Sequence, residues 1–355
     1  MEPVTHFLTG ACLGRSGFNR KTAYATLAMT LAAEAPDLDV LWSFRGPVAA
    51  FQHHRGITHT VWAAPVVALV TTGVVWIVHR LRRKDPVIAP RWFLIWLFAG
   101  IADLSHLLLD FTNNYGLRPF FPLDAHWYAW SIVFIFDPLI FLALLGALVI
   151  PWILGLAERE IGVRKKPFRG RGWAWAALIF VVLWWGLRNA EHGHALELVK
   201  TGSYTREPLL RVAAEPHMID PFQWHVLMET RDYYQTGEVR TIGDVVDTND
   251  LSDVIYKPPV TPAVAAAKRS YLGRVYLDWS QWPLTEDRGA IPAPGADFPP
   301  LPSWHTVEFQ DLRFDYAPLA AEHTNRAADS PLSGWVYVGP AGEIEGMFMG
   351  GDEQH

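Results

Sequence analysis

Histidine and aspartate side chains recur at short spacings in the apolar first half of the chain. Asp103, His106 and Asp110 follow one another at intervals of three and four residues. On an α-helix these intervals place all three side chains on one face. Such a face offers imidazole and carboxylate ligands to a divalent metal ion, provided that other segments complete the shell. The other segments with such residues are His6, the motif APDLD with Asp37 and Asp39, the motif HHRGITH with His54 and His59, and Asp137.

The HHRGITH motif adds an arginine and a glycine to these groups. Gly56 permits a close backbone approach or a positive φ, so we expect a turn between His54 and His59. Arg55 could bind an anionic oxygen through two parallel N–H donors. A carboxylate or a lipid headgroup is an equally suitable partner, and the sequence leaves this choice open.

Long apolar runs carry or flank the candidate ligands. Residues 61–78 contain no charge across 18 positions, which is the length at which a membrane-spanning helix becomes the expected structure. Residues 92–101 and 131–157 form further runs, and 173–187 is shorter and rich in tryptophan, as in the interfacial belt of a bilayer. The sequence predicts an α-helical membrane bundle with an N-terminal helical hairpin (3–14 and 22–35) and about four longer helices. A large soluble helical core is the alternative.

The apolar surroundings of the ionisable residues favour a functional site over single structural roles. Taken singly, a histidine on an apolar helix is usually a core residue, and an aspartate at a helix end is usually a cap. Together in lipid they would cost several kcal/mol without a partner, so a functional site is expected. The apolar runs supply no matching lysine or arginine, and a cation is the simplest neutralising group.

Basic residues are distributed unequally between the connections. Those at 15–21, 80–91 and 159–171 carry 14 Lys and Arg residues, whereas 36–60 and 113–130 carry three. The positive-inside rule places the first set in the cytoplasm. The candidate ligands then lie toward the outer side of the membrane, and the part of the chain after about residue 190 is predicted to be extracytoplasmic.

The remainder of the chain, residues 191–355, has the composition of a soluble domain. We predict that it forms a small β-rich extramembrane domain after a membrane domain of residues 1–190. The proline-rich stretch 283–302 is expected to be an irregular connection. The strands that the sequence predicts are 223–230, 275–279, 305–316 and a hairpin over 335–348.

Composition excludes several classes of protein. A net charge of -6 argues against nucleic-acid binding through bulk positive charge. The single cysteine excludes an intrachain disulfide and a cysteine-rich zinc site. The metalloprotease motif HExxH is absent from the sequence. The N-terminus lacks the pattern of a signal peptide, and the oligomeric state is not indicated.

Four motifs together are similar to the bacterial family of membrane-bound metal-dependent hydrolases, some of whose members are called LexA-binding inner-membrane hydrolases. The motifs are PVTHFLTG at 3–10, APDLD, HRGITH, and DLSHLLLD at 103–110. The resemblance covers about residues 1–190 and implies a multi-pass protein of the bacterial inner membrane with a bound metal. Residues 191–355 are similar to the extension of longer members.

A more distant likeness is to the group of zinc-dependent phospholipases C and single-strand nucleases. It implies metal ligands at His6, Asp37 or Asp39, His59, and His106 with Asp110. The later histidine ligands of that group have no clear match here unless His126 serves. One or two zinc ions are therefore expected rather than three.

The resulting hypothesis is a metal-dependent hydrolase whose substrate is a lipid or lipid-linked phosphoester. A bound metal would activate water and polarise a phosphoryl oxygen. The ligands in this hypothesis are His59, His106, Asp110 and Asp37 for one ion and His6, His54 and Asp103 for a second. The catalytic residues are Asp39 and Asp137, as base or orienting group, and Arg55.

A protein without catalytic activity is the alternative hypothesis. It would be a metal-binding membrane protein or a regulatory anchor that presents the C-terminal domain. A transporter is disfavoured because its ionisable residues would lie near the middle of the bilayer. The candidate ligands here are expected near one edge.

Overall fold

The computed structural model describes residues 1–82, 86–160, 169–249, 251–296, 298–315 and 332–354. The helices in this part of the chain are α1 (Pro3–Arg15), α2 (Ala25–Glu34), α3 (Pro47–His53), α4 (Ala64–Leu81), α5 (Trp92–Thr112), α6 (Pro138–Glu160), α7 (Arg171–Thr201), α8 (Pro262–Arg269) and α9 (Tyr271–Trp279). Short 3-10 helices cover Phe18–Arg20, Ala35–Arg45, Ile57–His59 and Leu312–Phe314. The strands are β1 (Arg211–Pro216), β2 (Gln223–Glu229), β3 (Tyr233–Arg240), β4 (Val245–Asp247), β5 (Val254–Tyr256), β6 (Pro283–Asp287), β7 (His305–Asp311), β8 (Gly334–Val338), β9 (Ile344–Met349) and β10 (Asp352–Glu353).

Four helices, α4 to α7, are long and apolar enough to cross a membrane. This confirms the predicted helical membrane region. The most apolar stretch of α5 is 44% buried, against 22% for each of the other three. Because α5 is the most enclosed span, it is the one on which polar side chains can be kept away from lipid.

The described residues form two compact units. The first combines Met1–Leu38, Arg55–Gly193 and Pro216–Pro221, and the second combines Asp39–His54, His194–Glu215 and Phe222–His355. The α3 segment therefore folds with the C-terminal part of the chain. Within the second unit Phe51 of α3 packs against Tyr276 and Trp279 of α9, and the side chain of Gln354 accepts hydrogen bonds from the N-terminal amides of α3, Val48 and Ala49.

Small residues allow α1 and α2 to approach each other closely. A Cβ atom at Gly10 would lie 2.5 Å from the carbonyl oxygen of Met29, and one at Gly14 would lie 2.5 Å from the Cα of Thr26. Only glycine fits at such distances. Alanines continue this packing, since Ala32 and Ala33 of α2 share a core with residues of α5 such as Ala99 and Ala102.

Two small antiparallel sheets follow the helical region, as the β-rich prediction requires. The first has the order β1-β2-β3-β4, with β5 also paired to β3, and the second has the order β10-β9-β8-β7-β6. The predicted strand at 223–230 is confirmed by β2, and the predicted hairpin is confirmed by β8 and β9. Strand β7 covers the first part of 305–316, and Tyr316 lies outside the described residues.

Two predictions for the C-terminal part are wrong. Residues 275–279 belong to helix α9, because Ser270 caps its N-terminus and the buried Leu272, Val275, Tyr276 and Trp279 recur at helical spacing. Residues 283–287, expected in an irregular connection, form strand β6 and pair with β7.

Parts of the basic connections, 83–85 and 161–168, lie outside the described residues.

The close approach at Gly10 gives a test of the helical packing. Gly10→Ala is expected to destabilise the protein by about 1–3 kcal/mol, because the added methyl group meets backbone rather than a flexible side chain. The thermal unfolding midpoint in detergent measures this. Gly73→Ala on α4 is the matched control, since its Cβ would meet nothing within 4 Å. Equal midpoints for the two variants would contradict the packing.

A buried carboxyl group in the second unit gives a test by pH. Burial raises the pKa of Glu308 to about 7 from its ordinary 4.5, although Arg288 donates a hydrogen bond to it at 2.7 Å. The folded state then binds this proton more tightly than the unfolded state does. Its contribution to the free energy of unfolding is present below about pH 4.5 and is lost as the pH rises through about 7.

We therefore expect the unfolding midpoint to fall more steeply from about pH 5 to about pH 8 in the natural protein than in Glu308→Gln. Glu343→Gln, at an exposed position, is the control and should keep the natural slope. Calorimetry at several pH values measures the slopes. A Glu308→Gln profile that overlays the natural one would show that this carboxyl group does not carry the effect.

Candidate metal centre

The first compact unit brings together imidazole and carboxylate groups from four separate segments. His106 and Asp110 lie one turn apart on α5, and His6 lies on α1. Asp37 lies in the 3-10 helix that begins where Pro36 follows α2, and His59 ends the 3-10 helix after Gly56. Residues far apart in the sequence thus meet beside the most enclosed span. Two groups with the spacing of metal ligands occur among the described residues: His59, His106 and Asp110, and His6, Asp37 and His106.

Two imidazole nitrogens lie at distances typical of a tetrahedral metal site from each other and from two carboxylate oxygens. The Nε2 atoms of His59 and His106 are 3.0 Å apart. Asp37 Oδ1 lies 3.4 Å from the first and 3.6 Å from the second, and Asp110 Oδ2 lies 3.5 Å and 3.3 Å from them. Bonds of about 2.0–2.1 Å to a tetrahedral zinc ion would separate neighbouring ligand atoms by roughly 3.3 Å. These residues therefore fit a divalent cation such as zinc.

The outer ring nitrogens fix the orientation of both imidazoles. His106 donates from Nδ1 to the carbonyl oxygen of Ala33 at 2.7 Å, and Nδ1 of His59 lies 3.1 Å from the hydroxyl of Thr58. Donation from Nδ1 leaves Nε2 as an electron-pair donor in the neutral ring. Histidine ligands of metals are commonly oriented in this way. The two Nε2 atoms face each other, and a cation between them would offset the repulsion of their electron pairs.

Two buried carboxylate oxygens at the cluster accept no hydrogen bond from the described residues. Oδ2 of Asp110 and Oδ2 of Asp37 make no hydrogen bond within the described residues. A buried carboxylate oxygen without a hydrogen bond is costly unless a cation compensates it. The side chain of Asp37 is 16% exposed, whereas those of His59, His106 and Asp110 are at most 1% exposed. Asp37 is thus the member of this set that solvent or a ligand can reach.

His6 extends the cluster on a second side. Its ring stacks on that of His106 with 3.7 Å between centroids, and its Nε2 lies 3.3 Å from Asp110 Oδ1 and 3.2 Å from the carbonyl oxygen of Met1. Burial lowers the pKa of His6 to about 3, so its imidazole is neutral. Burial alone would raise the pKa of Asp37, but the imidazoles of His59 and His106, when protonated in the metal-free protein, hold it well below its usual range. A neutral imidazole and an ionised carboxylate are the forms that bind metals.

Arg55 is bound to the far side of Asp110. Its guanidinium donates to Asp110 Oδ1 at 2.7 Å, to Asn113 Oδ1 at 3.1 Å and to the Gly116 carbonyl at 2.8 Å, and it lies over the ring of Tyr115. Of the two partners that the sequence left open for Arg55, a carboxylate or a lipid headgroup, the structure shows a carboxylate. The turn expected at Gly56 has its positive φ one residue earlier, at Arg55 with φ 52°. A role for Arg55 in contacting substrate stays a prediction.

Two further aspartates occupy other surroundings in the same unit. Asp137 caps α6 by accepting from the amides of Leu139 and Ile140, and it accepts from the indole of Trp184. The helix cap therefore accounts for one of its oxygens and the indole for the other. Asp103 is fully buried on α5, its two oxygens make no hydrogen bond within the described residues, and it belongs to neither ligand group. Their predicted roles as base and ligand stay predictions.

The remaining predicted residues, Asp39 and His54, belong to the second unit. Nδ1 of His54 lies 3.3 Å from Asp39 Oδ1, with the aspartate buried and the imidazole partly exposed. The APDLD motif is thus divided, with Asp37 in one unit and Asp39 in the other. Their predicted roles are not tested by this placement.

Sequence reasoning missed several residues that hold the cluster in place. Asn113 accepts from Arg55 and from the amides of Tyr115 and Gly116, and the N-terminal nitrogen of Met1 contacts Asp110. Ala33 contributes only its backbone carbonyl. The polar run that follows α5 was a usable signal for Asn113, because polar residues directly after a spanning helix need partners. A backbone carbonyl gives no such signal.

Comparisons with known proteins agree with this picture of a membrane protein. The chain is 27% identical over 163 residues to the uncharacterized protein YfhP of Bacillus subtilis (strain 168), a match that covers 44% of this chain and 47% of YfhP. The chain thus spans about half the length of this curated relative. No solved structure matches it. A family model described as YdjM inner membrane protein matches residues 1–195, more than half of the chain, and the chain therefore belongs to the YdjM inner membrane protein family.

Proposed function

We propose that this inner membrane protein is a metal-dependent hydrolase that acts on a phosphoester carried by a lipid or a lipid-linked molecule. The observation that carries the proposal is that the Nε2 atoms of His59 and His106 lie 3.0 Å apart, and that each lies 3.3–3.6 Å from an oxygen of Asp37 and of Asp110. Membership of an inner membrane family supports a substrate that resides in the membrane. We further propose that the part of the chain after residue 190 is extracytoplasmic, as the distribution of basic residues predicts.

The chemistry of the donor set suits hydrolysis. A divalent cation bound there would lower the pKa of a coordinated water toward ~7 and polarise a phosphoryl oxygen. His59 and His106 would bind it as neutral imidazoles held by Thr58 and by the Ala33 carbonyl. Asp110 contributes one oxygen to the cluster, and Arg55 holds the other.

The partial exposure of Asp37 favours catalysis over a purely structural metal site. A structural zinc site has four protein ligands and is closed to solvent, whereas a catalytic site keeps one position open. Asp37 is 16% exposed beside three ligands that are almost fully buried. A substrate oxygen could therefore approach from the side of Asp37. The phosphoester class rests on the distant likeness to the phospholipase C group and on this accessible edge.

Loss of a ligand should remove the metal. We expect the purified protein to contain stoichiometric zinc or another divalent metal, and His106→Ala and His59→Ala to lose it, because each removes one of the two imidazole donors. Mass spectrometry of the metal content measures this. His305→Ala, at an exposed histidine of the second unit, is the matched control and should retain the metal. A metal-free natural protein, or a His106→Ala variant with full metal content, would refute the proposed site.

Arg55 should act through Asp110 rather than alone. We expect Arg55→Gln to lower metal affinity and phosphoesterase activity by roughly 10–100-fold, because the Asp110 carboxylate loses the guanidinium that orients it. Arg55→Lys keeps the charge without the paired donors, so its metal affinity and activity should lie between those of the natural protein and those of Arg55→Gln. Hydrolysis of a chromogenic phosphodiester and metal titration measure the effects. The thermal unfolding midpoint shows whether each variant is folded.

Arg231→Gln, at an exposed arginine of the second unit, is the control for the Arg55 variants. If Arg55→Gln binds metal and turns over substrate like this control, the proposed positioning role is wrong. If the natural protein binds metal but hydrolyses no phosphoester in vesicles or detergent, the alternative of a metal-binding protein without catalytic activity replaces the proposal.

A further inference from the structure

The segment that follows Asp37 carries apolar side chains that the protein does not cover. Residues Leu38 to Phe44, here called the 38–44 segment, lie in the 3-10 helix Ala35–Arg45. Leu38, Val40, Leu41 and Phe44 are each between 58% and 88% exposed. Single exposed apolar residues are ordinary on protein surfaces, but four within seven positions form a patch. Such a patch needs an apolar partner.

Exposed apolar residues continue from this connection into the first spanning helix. Ile57 and Trp62, on the far side of α3 in the sequence, are 65% and 56% exposed. Val66 and Leu69 on α4 are exposed to a similar extent, and on a spanning helix such residues face lipid. The connection is therefore flanked in the sequence by a surface whose partner is already the membrane.

The polar groups of the segment have the character of a membrane interface. Trp42 stacks on His53 with 3.8 Å between ring centroids, and the guanidinium of Arg45 lies 5.0 Å from the centre of the Trp42 ring. Tryptophan and arginine are typical of the headgroup region, where an apolar body and a polar tip meet different surroundings. The Arg45 carbonyl accepts a hydrogen bond from Gln354, so the end of the segment is held by the folded chain.

We propose that the 38–44 segment inserts into the lipid interface and presents the accessible edge of the metal centre, at Asp37, to the membrane. Leu38 directly follows Asp37, so the ligand that can be reached is joined to the patch that lipid covers. The substrate class that this favours is an amphiphilic phosphoester whose acyl chains remain in the leaflet. This substrate class rests on the proposed function, whereas insertion does not.

The single cysteine makes the test direct. Cys12 is buried, so Cys12→Ala provides a background in which Leu41→Cys or Phe44→Cys carries one environment-sensitive fluorophore. Val70→Cys on α4 is the control that faces lipid, and Arg231→Cys, whose natural side chain is 90% exposed, is the control that faces water. Each full-length protein is reconstituted in vesicles of phosphatidylethanolamine and phosphatidylglycerol. Quenching by a spin-labelled lipid is compared with quenching by iodide.

Insertion predicts that the labels at 41 and 44 behave like the label at Val70, with strong quenching by the spin-labelled lipid and loss of iodide quenching. Iodide quenching equal to that at Arg231 would overturn the proposal. Protection from both quenchers would also overturn it, because it would indicate a protein partner. The measurement needs no turnover, so an inactive protein with lipid-quenched labels refutes the hydrolase alone, and an active protein with iodide-quenched labels refutes insertion alone.

Discussion

The first compact unit depends on the groups that compensate the buried charge of Asp110 among apolar helices. Asp110 has no exposure to solvent, and an uncompensated charge there would cost several kcal/mol. Arg55 and the N-terminal nitrogen of Met1 compensate one of its oxygens, and the imidazoles of His59 and His106 face the other. Two of these partners, Arg55 and His59, come from the connection between α3 and α4. They are therefore as necessary to the fold as they are to the site.

The packing of the first two helices is linked to the same site. A Cβ at Gly10 would lie 2.8 Å from that of Ala33, and the carbonyl of Ala33 receives the Nδ1 proton of His106. A larger residue on α1 would push α2 away and with it the group that orients the ligand. Short helices that could not span a bilayer thus have a clear function. They bring backbone and side chains of α1, α2 and the following turn to the enclosed face of α5.

The sequence predicted the parts of this protein that local pattern determines. Uncharged runs indicated the four spans, and residue spacing on α5 indicated that His106 and Asp110 share a face. It failed where a short window is ambiguous, as at Val275–Trp279, whose helical periodicity emerges only when Leu272 is included. It also could not foresee that Gln354 caps α3, because residues about 300 positions apart have no local signal. The placement of Asp137 as a helix cap was available as a general alternative for aspartates at helix ends.

The two carboxylates at the cluster differ in a way that bears on chemistry. Asp110 is fully buried and bound by Arg55, and Asn113 ties the same arginine to the turn after α5. Asp37 lies on a short 3-10 helix, retains an oxygen without a hydrogen bond within the described residues, and is partly exposed. One carboxylate is thus enclosed and held by hydrogen bonds, whereas the other lies at the accessible edge of the cluster. Since the exposed Leu38 directly follows Asp37, the proposed insertion of the 38–44 segment would bring a membrane-resident substrate to this edge.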